Sequence, residues 1–204
     1  MTSIGDAAFS GCIGLTGISL GNSLTSIGES AFADCVELTA IMLPDRTNTL
    51  GAYAFSGCTS LKTVNLSAGD IAIVDNAFAG CNAITALTIP VTDLTGYFSE
   101  AISSVQTVTV FSGANEISAS AFAGFTALTT VNMPDSVTLI GNNAFEGCML
   151  LTGVTIPANV TAIGDSAFSG CVALAEMVLP NNVISIGNSA FSGGVALTEM
   201  VIPN

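Results

Sequence analysis

Residues 151–171 read Leu151-Thr-Gly-Val-Thr-Ile-Pro-Ala-Asn-Val-Thr-Ala-Ile-Gly-Asp-Ser-Ala-Phe168-Ser-Gly-Cys171, and nearly the same phrase returns along the whole chain. Its most regular mark is an alanine-phenylalanine pair, which recurs at one constant interval within each of two runs. Phe98 lies in the wider gap between the runs and predicts an irregular additional copy, which brings the count to nine. A fixed period of a few tens of residues is typical of a solenoid, in which each copy packs on its neighbours. The phenylalanines of the regular pairs are Phe9, Phe32, Phe55, Phe78, Phe122, Phe145, Phe168 and Phe191.

The first half of each copy predicts two short strands. In the copy quoted above, Val154 and Ile156 alternate with small or polar residues, which is typical of a strand. Pro157 follows directly, and proline lacks the N–H group that would continue the ladder. A weaker alternation over residues 160–163 predicts a second strand. Stacked copies would therefore form a parallel sheet with one main strand per copy.

The second half of each copy predicts a tight turn and a short helical turn. Gly164 permits the turn. Asp165 precedes Phe168 by three residues, and its side-chain oxygen would meet free N–H groups at the start of a helical turn. Burial of each phenylalanine would contribute roughly 2–3 kcal/mol. The chain is therefore predicted to be an α/β-type solenoid dominated by β structure.

A second copy carries the resemblance to a known family. It reads Ile27-Gly28-Glu-Ser-Ala31-Phe32-Ala-Asp-Cys35-Val-Glu-Leu38-Thr-Ala-Ile41-Met-Leu43-Pro44 and resembles the BspA-like, Treponema pallidum-type leucine-rich repeat. The resemblance covers essentially the whole chain. It implies a single domain over residues 1–204, a right-handed solenoid of nine repeats with the parallel sheet on the concave side. The fifth repeat, about 90–111, is irregular, and no capping domains are expected.

The resemblance also suggests a location and a role. Members of the family are often bacterial or protist surface proteins that act in adhesion and protein binding. An extracellular or cell-surface location is therefore favoured, although Met1 opens directly into repeat sequence and no signal peptide is visible.

Composition excludes several kinds of partner. Arg46 and Lys62 are the two basic residues against 15 acids, which gives a net charge of −13, and there is no histidine. Nucleic-acid binding requires cations that neutralise phosphates, so we expect none. No apolar run approaches the length of a membrane span, so no membrane insertion is expected.

The sequence does not predict an enzyme. Gly17-Ile-Ser19-Leu-Gly21 matches the nucleophile-elbow pattern, but it lies in a repeat strand and the chain has no histidine to act as a base. No paired-carboxylate or phosphate-binding motif accompanies it. We therefore expect no catalytic residues, no metal site and no cofactor.

The six cysteines occupy one slot, three residues after the phenylalanine. Phe125 and Gly194 take the same slot in other copies, which indicates a packing position. Free buried thiols are the favoured interpretation. A disulfide ladder fits poorly because stacked side chains point the same way, and a zinc site would need close cysteine pairs; both stay open as alternatives. The cysteines are Cys12, Cys35, Cys58, Cys81, Cys148 and Cys171.

The outward positions of the main strand are small, uncharged and rich in threonine, with glutamate in the last two copies. They are interpreted as solvated strand positions of high β-propensity, as a surface for a protein or glycan ligand, or as a threonine array like those of ice-binding solenoids, for which a concave sheet is a poor template. The candidate ligand face is Thr63, Thr88, Thr107, Thr109, Thr130, Thr155, Glu176 and Glu199.

The irregular fifth copy contains Tyr97, Phe98 and Glu100 and lacks both the Ile-Gly pair and the cysteine. It is interpreted either as a bend or bulge of the scaffold or as a binding feature, because irregular segments of regular scaffolds often carry function.

The two ends of the chain lack atypical capping copies. A second molecule placed after the first would continue the pattern with one residue missing, and head-to-tail contacts that do not close produce a filament. The leading hypothesis is a structural protein that self-assembles, with itself as partner. The alternative is a fragment of a cell-surface, adhesin-like leucine-rich repeat protein that binds a protein or glycan on its concave face. The predicted assembly residues are Met1, Thr2, Ile4, Phe9, Leu197, Met200, Ile202, Pro203 and Asn204.

Overall fold

The computed structural model describes residues 1–66, 69, 71–90, 98 and 100–202. These residues form fifteen short strands in two compact units. The first unit contains the described residues from Met1 to Pro90 with Phe98, Glu100 and Ala101, and the second runs from Ile102 to Ile202. Residues 91–97 and 99 of the fifth copy lie outside the described residues. The count of nine repeats, the right-handed winding and the single domain stay predictions.

The first unit contains two sets of parallel strands. The outer set, which consists of the second strand of each copy, has the order β1-β2-β4-β6, and the inner set, which consists of the main strand, has the order β3-β5-β7. The outer strands are β1 (Ser3–Ile4), β2 (Ser26–Ile27), β4 (Thr49–Leu50) and β6 (Ala72–Ile73). The inner strands are β3 (Ala40–Met42), β5 (Thr63–Asn65) and β7 (Ala86–Ile89).

The second unit repeats this arrangement. Its outer strands pair in the order β9-β11-β12-β14, and its inner strands form the pairs β8-β10 and β13-β15. The outer strands are β9 (Glu116–Ile117), β11 (Leu139–Ile140), β12 (Ala162–Ile163) and β14 (Ser185–Ile186). The inner strands are β8 (Thr107–Val110), β10 (Thr130–Asn132), β13 (Glu176–Val178) and β15 (Glu199–Val201).

Strand register places equivalent residues of successive copies side by side. Ile4 pairs with Ile27, and Val64 pairs with Leu87, so both sets of strands have an offset of one repeat period. Side chains alternate along each strand between the surface and the core. The core residues Ile27 and Val64 are 1% and 0% exposed. This register confirms the predicted parallel solenoid and both predicted strands per copy in most of the described copies.

Side chains add hydrogen bonds at the same offset. The Thr25 hydroxyl donates to the carbonyl of Thr2 at 2.9 Å, with a sequence separation of 23. The Thr161 hydroxyl donates to the carbonyl of Thr138 at 3.1 Å, with the same separation of 23. These bonds tie each copy to the one before it beside the outer strands.

The inner strand is missing from two copies in which it was predicted. Residues 15–20 and 151–157 form no strand. Both copies have glycine, Gly17 or Gly153, at the first outward position of the strand. Glycine weakens a strand because it loses the most conformational entropy and has no side chain to pack across the sheet. The prediction of one inner strand in every copy is therefore wrong here. The copies that form the strand have Ala40, Thr63, Ala86, Thr107, Thr130, Glu176 or Glu199 at this position.

The predicted helical turn is not confirmed, since the described residues contain no helix. The backbone around Phe145 instead makes a series of tight turns in which Asn143 and Gly147 have φ of 57° and 72°. Helical residues donate to a carbonyl within their own segment, whereas the N–H of Phe145 donates to Ala167 of the next copy at 2.8 Å. Hydrogen bonding between copies therefore replaces the helix.

The roles predicted for Gly164 and Asp165 also change. A Cβ on Gly164 would lie 2.6 Å from the backbone nitrogen of Asn142, so glycine is needed for the close approach of the preceding copy. The Asp165 carboxylate accepts a hydrogen bond from the N–H of Asn188 at 2.6 Å instead of capping a helix of its own copy. Both residues stabilise the contact between copies.

Candidate functional site

The turn around each phenylalanine carries a backbone ladder that runs in one direction along each unit. The N–H of Phe145 donates to the carbonyl of Ala167, and the N–H groups of Asn143 and Gly147 donate to the next copy in the same way, each at 2.8 Å. In this segment all three donors point to the following copy and the matching carbonyls point to the preceding one. The turn segment of each regular copy thus presents donors on one side and acceptors on the other.

The first and last copies of the described chain contain backbone carbonyl and N–H groups of this ladder that have no ladder partner among the described residues. Among the described residues, no N–H donates to the three acceptors of the first copy, and no carbonyl accepts from the three donors of the last copy. The acceptors are the carbonyls of Asp6, Ala8 and Ser10. The donors are the N–H groups of Ser189, Phe191 and Gly193. Because the contacts around Phe32, Phe122, Phe145 and Phe168 use the same pairing, the two sets are complementary.

The phenylalanine rings form one stacked column in each unit. Adjacent ring centroids lie 4.8–5.6 Å apart in the first unit and 5.1–5.3 Å apart in the second. Phe32 and Phe145 are fully buried, whereas Phe9 is 40% exposed because its ring has a stacking partner on one face. The column therefore leaves an aromatic face uncovered at the first copy.

The predicted assembly residues differ in their exposure. Met1 and Ile202 are 81% and 63% exposed, and Ile4 is 5% exposed. Thr2 is exposed, and Leu197 and Met200 are half-buried. Pro203 and Asn204 lie outside the described residues.

The cysteine column is a second ladder between copies. All six cysteines are free thiols, and the Cys58 thiol donates to the carbonyl of Phe32 at 3.3 Å. The equivalent bond is made by Cys35, Cys81, Cys148 and Cys171. The prediction of free, buried thiols is confirmed for these five and is wrong for Cys12, which is exposed because its copy has no preceding neighbour in this structure.

Burial changes the acidity of these thiols. Desolvation raises the pKa of Cys35 and Cys148 above the ordinary value, and it raises the pKa of Cys171 to about 11. The pKa of Cys58 is raised first by its hydrogen bond with Cys81 and then by burial. These thiols are therefore packing and hydrogen-bonding groups, not nucleophiles.

Two residues of the irregular fifth copy have structural partners. Phe98 is 2% exposed, and its ring continues the column 4.8 Å from Phe78. A Glu100 carboxylate oxygen accepts a hydrogen bond from the N–H of Gly80 at 2.7 Å. Regular copies supply a backbone carbonyl for this N–H, so the carboxylate replaces a ladder acceptor. Tyr97 lies outside the described residues, and the binding feature stays a prediction.

The candidate ligand residues are spread over the outward face of the inner strands. Thr63, Thr130, Thr155, Glu176 and Glu199 are exposed. Thr88, Thr107 and Thr109 are half-buried. Thr107 pairs with Thr130 and Glu176 pairs with Glu199, whereas Thr155 belongs to the copy that lacks the strand. The structure therefore places two pairs of these residues side by side, and Thr63, Thr88 and Thr109 pair with residues outside the candidate set.

A groove of about 840 Å³ opens on this face where the strand is missing. It crosses three successive copies of the second unit and is centred on the segment around Gly153. The predictions included Thr130, Thr155 and Glu176 but did not include Gly153, although a glycine inside a strand pattern signals a break. Side chains in its lining include Thr130, Asn132, Asp135, Thr155, Glu176 and Val178.

The described residues contain no group of three or more His, Cys, Asp or Glu side chains that could hold a metal ion. No helix among them is long and apolar enough to cross a membrane.

Parallel turns of constant length with a buried leucine, phenylalanine and cysteine pattern define a leucine-rich repeat solenoid. The sequence model of the BspA type leucine rich repeat region matches residues 1–100 and 95–204 with six copies, and the chain therefore belongs to this family. A search of the curated proteins finds no match.

Solved structures that are similar to the chain include three leucine-rich repeat proteins. A leucine-rich repeat protein from Bacteroides ovatus is 27% identical with a TM-score of 0.55, and the match covers 98% of this chain and 70% of that one. A leucine rich cell surface protein from Faecalibacterium prausnitzii is 22% identical with a TM-score of 0.50, covering 98% and 69%. The T. pallidum leucine rich repeat protein is 22% identical with a TM-score of 0.40, covering 92% and 74%.

Proposed function

We propose that this chain is a non-enzymatic interaction scaffold that associates head-to-tail with further copies of itself into a filament. The observation that carries the proposal is the one-directional ladder. It leaves three carbonyl acceptors on the first copy and three N–H donors on the last copy of the described chain. In a second molecule these groups would find the partners that the regular internal copies already have.

The ladder also sets the orientation of the contact. A head-to-head contact would place the carbonyls of one molecule against those of another, and a tail-to-tail contact would oppose two sets of donors. Either arrangement would bury unpaired polar groups, which costs about 1–3 kcal/mol for each group. A head-to-tail contact satisfies them and stacks the uncovered ring of Phe9 on that of Phe191.

The test compares two exposed apolar residues of equal accessibility. Ile202 is 63% exposed in the last copy, and Val178 is 64% exposed on the sheet face. Light scattering against concentration and negative-stain electron microscopy are recorded for wild type, Ile202→Lys and Val178→Lys. We expect fibres from wild type and from Val178→Lys, and we expect none from Ile202→Lys at tenfold higher concentration, because a lysine there would bury an unpaired charge. Monomeric wild type at all concentrations, or fibres unaffected by Ile202→Lys, would contradict the proposal.

A second candidate function is the binding of a protein or glycan on the exposed face of the inner strands. The groove around Gly153 favours it, because it is the place where the regular surface opens. A cell-surface or extracellular location is part of this candidate. It accords with the description of the Faecalibacterium protein and is likewise a proposal.

A further inference from the structure

We propose that the groove around Gly153 binds an extended peptide that contains lysine or arginine, with the Glu176 carboxylate as the counter-ion of one cationic side chain. The inference rests on the second candidate function and names its ligand. It is carried by a gap in a row of side chains, by the charge of the second unit and by the composition of the groove lining.

The first outward position of the inner strand lies side by side in successive copies and forms a row of side chains. The gap in this row is at Gly153. Thr130 and Glu176 are exposed in the copies before and after, each one repeat period from Gly153. A Cβ built on Gly153 would meet nothing within 4 Å, so the space above it is open. A side chain that enters this gap from outside would have a hydroxyl on one side and a carboxylate on the other.

The charge of the second unit favours a cation in this gap. Arg46 and Lys62, the two basic residues of the chain, both precede residue 102, so the second unit has no lysine or arginine. Asp135 and Glu176 line the groove and are exposed. These carboxylates therefore have no basic residue within their own unit to pair with, so a cationic ligand would meet no competing lysine or arginine of this unit.

The remaining lining favours a peptide over a sugar. Val178 is 64% exposed and Pro180 is half-buried, and both line the groove, so apolar surface is available to the methylene stem of a lysine or arginine. The lining contains no aromatic ring on which a sugar could stack. Three copies span about 10 Å at the usual strand spacing, which accommodates a few residues of extended chain.

The test measures fluorescence anisotropy with fluorescein-labelled octapeptides in which glycine alternates with lysine, glutamate or glutamine. Gly153→Val fills the gap, and Gly17→Val is its control at the same position of the first unit, where a Cβ also meets nothing within 4 Å. Glu176→Gln removes the counter-ion, and Glu116→Gln is its control with the same change of net charge, because Glu116 is exposed on the outer strand β9 and does not line the groove. Thermal melts and light scattering on the same samples establish that folding and association are unchanged.

We expect binding of the lysine peptide, with affinity that falls at high salt. Gly153→Val should weaken it at least tenfold and Glu176→Gln about fivefold, whereas both controls should stay within twofold of wild type. Equal losses in Glu176→Gln and Glu116→Gln would overturn the proposal, because they would indicate attraction to net charge. If the glutamate or glutamine peptide binds as well and only Gly153→Val abolishes binding, the ligand class is wrong and the second candidate function stands. Absence of binding by all three peptides would overturn the peptide ligand but not the second candidate function, which also includes a glycan or a folded protein.

Discussion

The copy around Phe9 and the copy around Phe145 have the same sequence pattern but different surroundings. Phe9 is 40% exposed and Phe145 is fully buried. Phe145 lies between the rings of Phe122 and Phe168, whereas Phe9 stacks on Phe32 alone. The glycine before the phenylalanine and the cysteine after it show the same contrast. Gly5 and Cys12 of the first copy are open to solvent, whereas Gly141 and Cys148 are closely packed against a neighbouring copy. This difference indicates that the neighbouring copy, and not the pattern itself, determines how much a residue contributes to the stability of the fold.

The largest expected effect is at the phenylalanine slot. Phe145→Ala would leave a cavity between two stacked rings and should lower the free energy of unfolding by about 3–5 kcal/mol. Phe9→Ala removes a ring that is already partly in water and should cost about 1 kcal/mol. Urea denaturation followed by circular dichroism measures both. Equal losses in the two variants would show that the stacking neighbours do not determine the contribution.

A smaller effect is expected at the glycine slot. A Cβ on Gly141 would lie 2.6 Å from the backbone nitrogen of Ala119, whereas a Cβ on Gly5 would meet nothing within 4 Å. Gly141→Ala should therefore destabilise the protein by about 1–3 kcal/mol, and Gly5→Ala should stay within about 0.5 kcal/mol of wild type. The midpoints of thermal unfolding provide the comparison, and a Gly141→Ala protein as stable as wild type would contradict it.

The smallest effect is expected at the cysteine slot of a buried copy. The pKa of Cys171 is raised from 9.0 to about 11 in the folded protein, so the folded state holds this proton more tightly than the unfolded state. The stabilisation is fully present below pH 9 and is lost as the pH rises toward 11, with about 1 kcal/mol lost between pH 9 and pH 10. Urea titrations at the two pH values should show a smaller loss in Cys171→Ala than in wild type. An identical pH dependence would mean that the thiol ionises equally in both states.

Much of the fold could be predicted from the chain because its period is regular. The constant spacing of residues such as Phe145 and Phe168 predicted the ring column, and the alternation in Val64-Asn-Leu66 predicted an inner strand. The break at Gly153 was missed because a pattern shared by many copies outweighed one local exception. The role of Asp165 was misjudged because its partner, Asn188, lies one copy away and not in its own turn.

By itself the sequence determined the repeat, the family, the buried phenylalanine and cysteine columns and the absence of basic residues from the second half. These follow from residue type and spacing, which need no knowledge of contacts. Only the tertiary structure decided the direction of the backbone ladder, the surroundings of each glycine and the position of the groove around Gly153. They depend on which groups of adjacent copies meet, and the copies meet only once the chain has wound into a stack.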